Sequence, residues 1–359
     1  MLERVTLERR AAAPFWIRVV TYAGAILIAA AIALSILVGA GVPPDALFQE
    51  LVVEVFFERD GLARTLTAAT PMVLVGLSAA LCLRLRFWNI GIEGQLLLGG
   101  ILATTVALYD IGGAWRLPVM MIAAAAGGAL WIALPLFLRL RLGVSEVIVT
   151  LLLSKIAFLL LQHLVFGPFR DPTHNFPSSP VLDVAERLPR LGFGNVHAGL
   201  FLALAAAGFC ALMVHRLRFG FAANLTGDNP EAARALGFPT LRIMALVILL
   251  GGAMAGLAGG VVVAGTEYRL TQQIGLFATF NGIVVAALAR NEPLAVPIVA
   301  FFLAGLGVAS DSLKVFYGVS EGLVLVIKGV ILLSLVTAQF FTAFRVTLDR
   351  IGTRPEPAE

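Results

Sequence analysis

Three polar residues stand close together at the start of a long apolar block. The run from Asn89 to Gln95 reads NIGIEGQ and holds an asparagine, Glu93 and a glutamine within seven residues. Amides and a carboxylate among apolar residues are costly unless they face a cavity, a partner or water. Two interpretations stay open: a helix start whose Glu93 lies at a polar interface, or a broken helix that lines a route for a solute. Asn281, in a later apolar block, is a fourth candidate for such a route.

A hydrophilic loop, residues 226–237, reads TGDNPEAARALG and predicts a short helix. Asn229 or Asp228 can cap a helix that begins at Pro230, and the glutamate that follows suits its positive end. Alanines propagate the helix, and Gly237 ends it. The helix is either a well-capped connection between two longer helices or a rigid surface that docks another protein.

Residues for catalysis or metal binding are not grouped in the sequence. The four histidines show no i,i+4 or clustered spacing: His163, His174, His197 and His215. The sequence contains no glycine-rich phosphate-binding run that ends in GK[ST], no nucleophile elbow and no HExxH zinc motif. We therefore expect a chain that is not an enzyme and that binds no metal or cofactor itself. The energy for any transport must come from another polypeptide.

The composition requires most of the chain to lie in a membrane. Of 359 residues, 59% are hydrophobic and 13% are charged, and the mean hydropathy is +0.94. Soluble domains are about 45–50% apolar and about 25% charged, which excludes a soluble enzyme, a disordered scaffold and a disulfide-stapled secreted module. The net charge of +4 is explained by basic residues in cytoplasmic loops, so we expect no nucleic-acid partner. Cys82 and Cys210 lie inside apolar blocks and indicate no disulfide framework.

Apolar blocks of mostly about 20 residues predict an all-α polytopic membrane protein with about ten transmembrane helices. If the amino terminus is cytoplasmic, most arginines outside the blocks fall on the inner side, so both termini are expected inside. Five helices per half would orient the second half opposite to the first, as in many transporters, although the sequence contains no convincing internal repeat. The predicted blocks are about 15–40, 64–83, 90–109, 117–138, 146–166, 198–214, 244–264, 275–288, 294–310 and 322–341.

The same pattern predicts a single transmembrane domain over residues 15–343. Residues 1–14 and 344–359 are expected to form cytoplasmic tails. Three connections are long enough to carry structure, two of them external and the last cytoplasmic: about 41–61, 167–196 and 217–241.

Several motifs, in order, closely resemble permease subunits of bacterial ATP-binding-cassette (ABC) importers, in the family that includes ribose and branched-chain amino acid permeases. The motifs are NIGIEGQ at 89–95, SEVIVTL at 145–151, GDNPEAARALG at 227–237, GGAMAGLAGG at 251–260 and FNGIVVAAL at 280–288. The similarity runs from about Leu66 to Val336 and is nearest the nucleoside (guanosine-type) uptake branch. Two residues depart from the pattern: Gly251 stands where relatives often have serine, and Asn281 where many have a small residue.

The resemblance implies an ABC importer permease fold with a helix that couples it to an ATPase. The implied coupling residues are Gly227, Asp228, Asn229, Pro230, Glu231, Ala232, Ala233, Arg234 and Gly237. The implied partners are a second permease subunit (a different chain or the same one), an ATP-binding subunit that holds ATP and Mg²⁺, an external substrate-binding lipoprotein and membrane lipid. The expected location is the bacterial inner membrane, which the chain crosses several times.

The resemblance implies a purine-type nucleoside as substrate, with ribose or another simple sugar as the alternative. The candidate amides would suit the hydroxyl groups of either. An ion-coupled secondary transporter and a membrane assembly subunit without a pathway are alternatives from other classes. A secondary transporter would need paired carboxylates deep in the bilayer, and the candidate carboxylates all lie near predicted helix ends: Glu93, Glu146 and Glu267.

Overall fold

The structure is a computed structural model that describes residues 3–10, 14–173 and 175–350. The described chain is built from α-helices and one pair of strands. The helices are α1 (Phe15–Gly39), α2 (Pro44–Phe48), α3 (Arg59–Arg84), α4 (Ile92–Leu108), α5 (Arg116–Leu142), α6 (Glu146–Phe166), α7 (Gly199–Arg216), α8 (Arg218–Asp228), α9 (Pro230–Ala235), α10 (Thr240–Val261), α11 (Leu276–Leu288), α12 (Ala295–Tyr317) and α13 (Glu321–Ala343). The strands are β1 (Glu3–Arg9) and β2 (Phe344–Arg350), and π-helical turns cover Gln49–Phe57 and Val262–Glu267.

Each predicted apolar block contains a helix, and the protein is a multi-pass helical membrane protein. Among the described residues, 8 helices are long and apolar enough to cross a membrane. The other two blocks hold α4, of 17 residues, and α11, of 13 residues. At about 1.5 Å per residue, α11 extends roughly 20 Å, which is less than the roughly 30 Å hydrocarbon core. The count of ten crossings and the cytoplasmic position of both termini therefore remain predictions.

The chain forms two compact units, one from Met1–Val52 and Ala309–Glu359, the other from Val53–Val308. In the first unit, α1 packs against α13 around a small apolar core that includes Leu37 and Ile327. The prediction of one transmembrane domain over 15–343 stays a prediction.

Strands β1 and β2 pair antiparallel in the first unit, with Glu3 opposite Arg350 and Arg9 opposite Phe344. Both strands lie in segments that we expected to form cytoplasmic tails. The two segments read ERVTLER and FRVTLDR, and the alternation of apolar and polar residues is typical of strands. Their pairing joins residues more than 300 positions apart, which a local reading of the sequence cannot detect.

Helix α10 lies at the centre of the second unit and packs on α3, α4 and α5. A Cβ at Gly256 would collide with the carbonyl of Ala124 on α5, and a Cβ at Gly259 would collide with the carbonyl of Leu96 on α4. The backbones of these helices therefore touch directly, which is the packing that small residues permit between membrane helices. The glycine-rich run 251–260 therefore lies where α10 packs most tightly on its neighbours.

The candidate residues fall on three parts of the second unit. The NIGIEGQ run connects α3 to α4, the GDNPEAARALG run covers the end of α8 and all of α9, and Asn281 lies on α11. Helix α3 contacts α4, α8, α10 and α11, so it links all three parts.

Candidate functional site

The predicted short helix is present as α9, Pro230–Ala235, and its start is capped by a side chain. Asn229 Oδ1 accepts hydrogen bonds from the backbone N–H groups of Glu231 at 3.1 Å and Ala232 at 3.0 Å. Pro230 occupies the first helical position, where its missing N–H costs nothing. Of the two caps considered from the sequence, Asn229 is the one used, whereas Asp228 is the last residue of α8.

The end of α9 is closed by backbone hydrogen bonds. Gly237 has a φ of +82°, a conformation that glycine adopts without strain. This turn lets Gly237 N–H donate to the Arg234 carbonyl at 2.9 Å and Phe238 N–H donate to the Ala233 carbonyl at 3.0 Å. The pair of bonds is a Schellman motif. The predicted stop at Gly237 is confirmed, and a 6-residue helix is fixed at both ends.

One side of α9 is buried and the other is exposed. Ala233 is fully buried, whereas Glu231 and Arg234 are exposed. Leu236 is 67% exposed and Phe221, on α8, is 62% exposed. Sequence reasoning missed these two apolar residues as part of the surface, because an apolar residue in a loop next to a membrane helix is ordinarily expected to pack inward.

Helix α8 fastens this surface to the bundle. Its buried residues recur at helical spacing: Gly220, Ala222, Ala223, Thr226 and Gly227. A Cβ at Gly227 would collide with the Arg84 carbonyl at the end of α3. Asp228 and Asn229, which follow directly, are exposed. The segment α8–α9 is therefore one rigid piece that packs on α3 and α10.

The amides of Asn89 and Gln95 are brought together. Asn89 Nδ2 donates to Gln95 Oε1 at 3.0 Å, and Gln95 Nε2 donates to Asn89 Oδ1 at 2.9 Å. Both residues are buried, at 5% and 1% exposure. Each amide thereby satisfies one donor and one acceptor of the other, which removes most of the cost of burying both.

The NIGIEGQ run is a helix start and not a break within a helix. Helix α4 begins at Ile92, with Gly91 at the cap position. A Cβ at Gly91 would collide with the Thr150 carbonyl on α6. The turn that leads into α4 therefore passes directly against a neighbouring backbone. The interpretation of this run as a break within a helix is therefore wrong, whereas its place along a route for a solute stays a prediction.

The other two candidates for a pathway lie on α4 and α11. Glu93 is half-buried in the first turn of α4, where a carboxylate suits the positive helix end. Asn281 is half-buried on α11. Ile283, two residues further along α11, lines a cavity of about 20 Å³ together with Asn89 and Cys82. The cavity has room for about one water molecule.

A further carboxylate, that of Glu146, is buried beside the turn before α4. The sequence indicated only that it lies near a helix end. Glu146 is 6% exposed in the first turn of α6. Its Oε2 lies 3.3 Å from Arg139 Nε, and its Oε1 accepts a hydrogen bond from Trp88 N–H at 3.4 Å. The carboxylate thus joins the α5–α6 turn to the turn before α4. The SEVIVTL motif could have indicated that Glu146 joins these two turns, because its glutamate follows a serine at a predicted helix start.

Two of the described histidines, His197 and His215, have hydrogen-bond partners of their own. Of the four histidines in the sequence, His174 lies outside the described residues. His197 is buried, and its Nδ1 accepts a hydrogen bond from Gly199 N–H at 3.2 Å. His215 Nε2 lies 2.7 Å from Glu292 Oε1 at a more exposed position. Among the described residues, no group of three metal-ligating side chains is assembled.

The comparisons with known proteins all point to transport permeases. The model of the family described as "branched-chain amino acid transport system / permease component" matches residues 61–336. A glucose ABC transporter permease protein of Haloferax volcanii is 35% identical, over 96% of this chain and 95% of that protein. A guanosine ABC transporter permease protein of Bacillus subtilis is 31% identical, over 80% of this chain and 83% of that protein. A nucleoside ABC transporter permease protein of Lactococcus lactis is 27% identical, over 72% and 74%.

The matched region contains the capped helix α9, the buried amide pair and the glycine-rich α10. The resemblance inferred from the motifs is confirmed. The chain belongs to the branched-chain amino acid transport system permease family, and it is the permease subunit of an ABC transporter.

Proposed function

We propose that this permease is the membrane-spanning subunit of an ATP-driven importer for a hydroxyl-rich solute. It would lie in the inner (plasma) membrane with a second permease chain, a separate ATP-binding subunit that hydrolyses ATP with Mg²⁺, and an external substrate-binding lipoprotein. The observation that carries the proposal is the capped helix α9, an exposed rigid element between two long apolar helices. An element of this kind can transmit force because it is held at both ends.

The exposed face of α9 supports contact with a protein partner. Glu231 and Arg234 supply opposite charges, and Leu236 and Phe221 supply exposed apolar area. An apolar centre with a charged rim is the usual make-up of a protein interface. We propose that residues 227–237 seat in a groove of the ATP-binding subunit, with Leu236 and Phe221 as added contacts.

Two substrates of related chemistry remain candidates. The motifs favour a purine-type nucleoside, and the guanosine and nucleoside permease relatives support it. A simple sugar is supported at least as strongly, because the glucose permease relative is more similar in identity and coverage. Both carry a ring with several hydroxyl groups, which amides such as Asn89, Gln95 and Asn281 can bind once a pathway opens.

The experiment reconstitutes the permease with its ATP-binding subunit and binding protein in proteoliposomes. Uptake of radiolabelled guanosine and of radiolabelled glucose is measured separately, with ATP and with an ion gradient alone. We expect ATP-dependent uptake of one of the two, lost in Glu231→Trp and in Gly237→Val while both variants still insert. Uptake driven by the ion gradient without the ATP-binding subunit would instead show a secondary transporter. Normal ATP-dependent uptake by Glu231→Trp and Gly237→Val would reject the coupling role of α9.

A further inference from the structure

We propose that Arg84 is a positioning residue that transmits movement of the α8–α9 segment to α3 and α11. The inference rests on the proposed coupling role of α9 and names the side chain through which that coupling reaches the transmembrane helices. Arg84 is the last residue of α3, and no motif in the sequence drew attention to it.

The guanidinium of Arg84 holds two distant segments at once. Its Nη1 donates to Asn224 Oδ1 on α8 at 2.7 Å, and its Nη2 donates to the Asn291 carbonyl at 2.6 Å. These partners lie 140 and 207 residues away in sequence. Both bonds are short, as expected when the donor is charged. The planar guanidinium fixes the angle between its donors, so the two partners are held at a set separation.

The Asn291 carbonyl belongs to a rigid turn at the end of α11. Arg290 N–H donates to the Ala287 carbonyl at 3.0 Å, and Asn291 N–H donates to the Ala286 carbonyl at 2.9 Å. Arg290 and Asn291 have φ values of +54° and +58°, an uncommon conformation for residues other than glycine. Because the turn is closed onto the last residues of α11, a displacement of the Asn291 carbonyl displaces the helix that carries Asn281.

The backbone of Arg84 makes the third contact. Its carbonyl oxygen lies directly against the Cα of Gly227, where no side chain could fit. Arg84 therefore touches α8 through its main chain as well as through its side chain. Helix α8 cannot slide along the end of α3 without breaking both contacts.

Two acidic residues contribute favourable charge to the half-buried guanidinium of Arg84. Glu292 and Asp228 are the acidic residues whose charges act on the guanidinium. Glu292 also pairs with His215 at the end of α7, at 2.7 Å. Thus the charges of Asp228, a predicted coupling residue, and of Glu292, in the connection after α11, both act on the same cation. A force on α9 would be felt at α11 through this cluster.

The test measures solute imported per ATP hydrolysed in proteoliposomes that hold the complete transporter. Radiolabelled guanosine and radiolabelled glucose are used as separate probes. Arg84→Lys keeps the charge but cannot hold both acceptors in the planar geometry. Asn224→Leu removes one acceptor, and Asn224→Asp keeps it. Arg86→Lys changes an exposed arginine two residues away and is the matched control.

We expect Arg84→Lys and Asn224→Leu to lower the import per ATP by about tenfold. This factor corresponds to the loss of one hydrogen bond to a charged group. Asn224→Asp and Arg86→Lys should stay within about twofold of the wild type. A wild-type ratio in Arg84→Lys and Asn224→Leu would overturn the proposal. An equal loss of uptake and of ATP hydrolysis, with the ratio unchanged, would also overturn it, because that pattern indicates a purely structural role.

Failure of the proposed function would look different. In that case the wild-type complex itself would show no ATP-dependent uptake of either probe. If Arg84→Lys fails to insert, Asn224→Leu carries the test, because Asn224 is only half-buried and the arginine remains in place.

Discussion

Gly227 lies against the backbone carbonyl of Arg84 so closely that a single added Cβ would collide with it. This contact joins the end of α3 to the residue where the helix pair α8–α9 turns outward. It joins the exposed segment 227–237, which we propose as the coupling surface, directly to the helical bundle.

The first prediction follows from that contact. Gly227→Ala should push α8 away from α3 and lower ATP-dependent uptake by about tenfold or more, since overpacking typically costs about 1–3 kcal/mol. Uptake in proteoliposomes, normalised to inserted protein, is the measurement. Gly208→Ala on α7 is the control, because a Cβ there meets nothing within 4 Å. Equal uptake by the two variants would show that the close approach does not matter for transport.

The second prediction concerns the packing of α10. Gly256→Ala and Gly259→Ala each place a methyl group into a neighbouring backbone, so each should lower the free energy of unfolding by about 1–3 kcal/mol. Thermal unfolding in detergent would measure the loss as a lower Tm. Gly329→Ala on α13, where the added Cβ meets nothing within 4 Å, should leave Tm unchanged or slightly higher. An unchanged Tm in both α10 variants would be inconsistent with the packing described.

The third prediction concerns the buried amide pair. Asn89→Leu leaves the amide of Gln95 without its partner and should cost about 1–3 kcal/mol of unfolding free energy. Gln95→Leu should cost a similar amount, whereas the double variant should cost clearly less than the sum, because no orphaned amide remains. Denaturant or thermal unfolding of all four proteins completes the cycle. Strict additivity would mean that the two amides do not interact.

The fourth prediction is a pH dependence that originates at His197. Burial lowers the pKa of His197 to about 4, below the roughly 6.5 of an exposed imidazole. The unfolded chain therefore binds the proton first, so the unfolding free energy is fully retained above about pH 6.5 and falls as the pH drops towards 4. The loss over this window should be about 3 kcal/mol.

Unfolding of the wild type and of His197→Phe at several pH values tests the assignment. In the variant, the unfolding free energy should fall much less between pH 6.5 and pH 4. If both proteins decline in parallel, the protonation responsible lies elsewhere in the chain.

The features that the sequence predicted correctly are the local ones. The bounds of α9 follow from Asn229, Pro230 and Gly237, whose effects act within one helical turn. The helices in the apolar blocks follow from hydropathy alone, although only 8 helices among the described residues are long and apolar enough to cross a membrane.

What the sequence did not reveal is non-local. The pairing of β1 with β2 depends on which segments the fold brings together, and so do the bonds of Arg84 to Asn224 and to the Asn291 carbonyl. A charged residue at a predicted helix end, such as Arg84, is ordinarily expected to face solvent. Here it is half-buried, because the turn after α11 and helix α8 both approach the end of α3.

The central claim is that α9 faces the cytoplasm and contacts the ATP-binding subunit. Asp228→Cys and Arg234→Cys place reactive thiols on the exposed surface of this segment, whereas the native Cys82 and Cys210 are buried. A membrane-impermeant maleimide should label both variants in inside-out vesicles only, and the added ATP-binding subunit should block the reaction. Labelling in right-side-out vesicles would place α9 outside the cell and contradict the account.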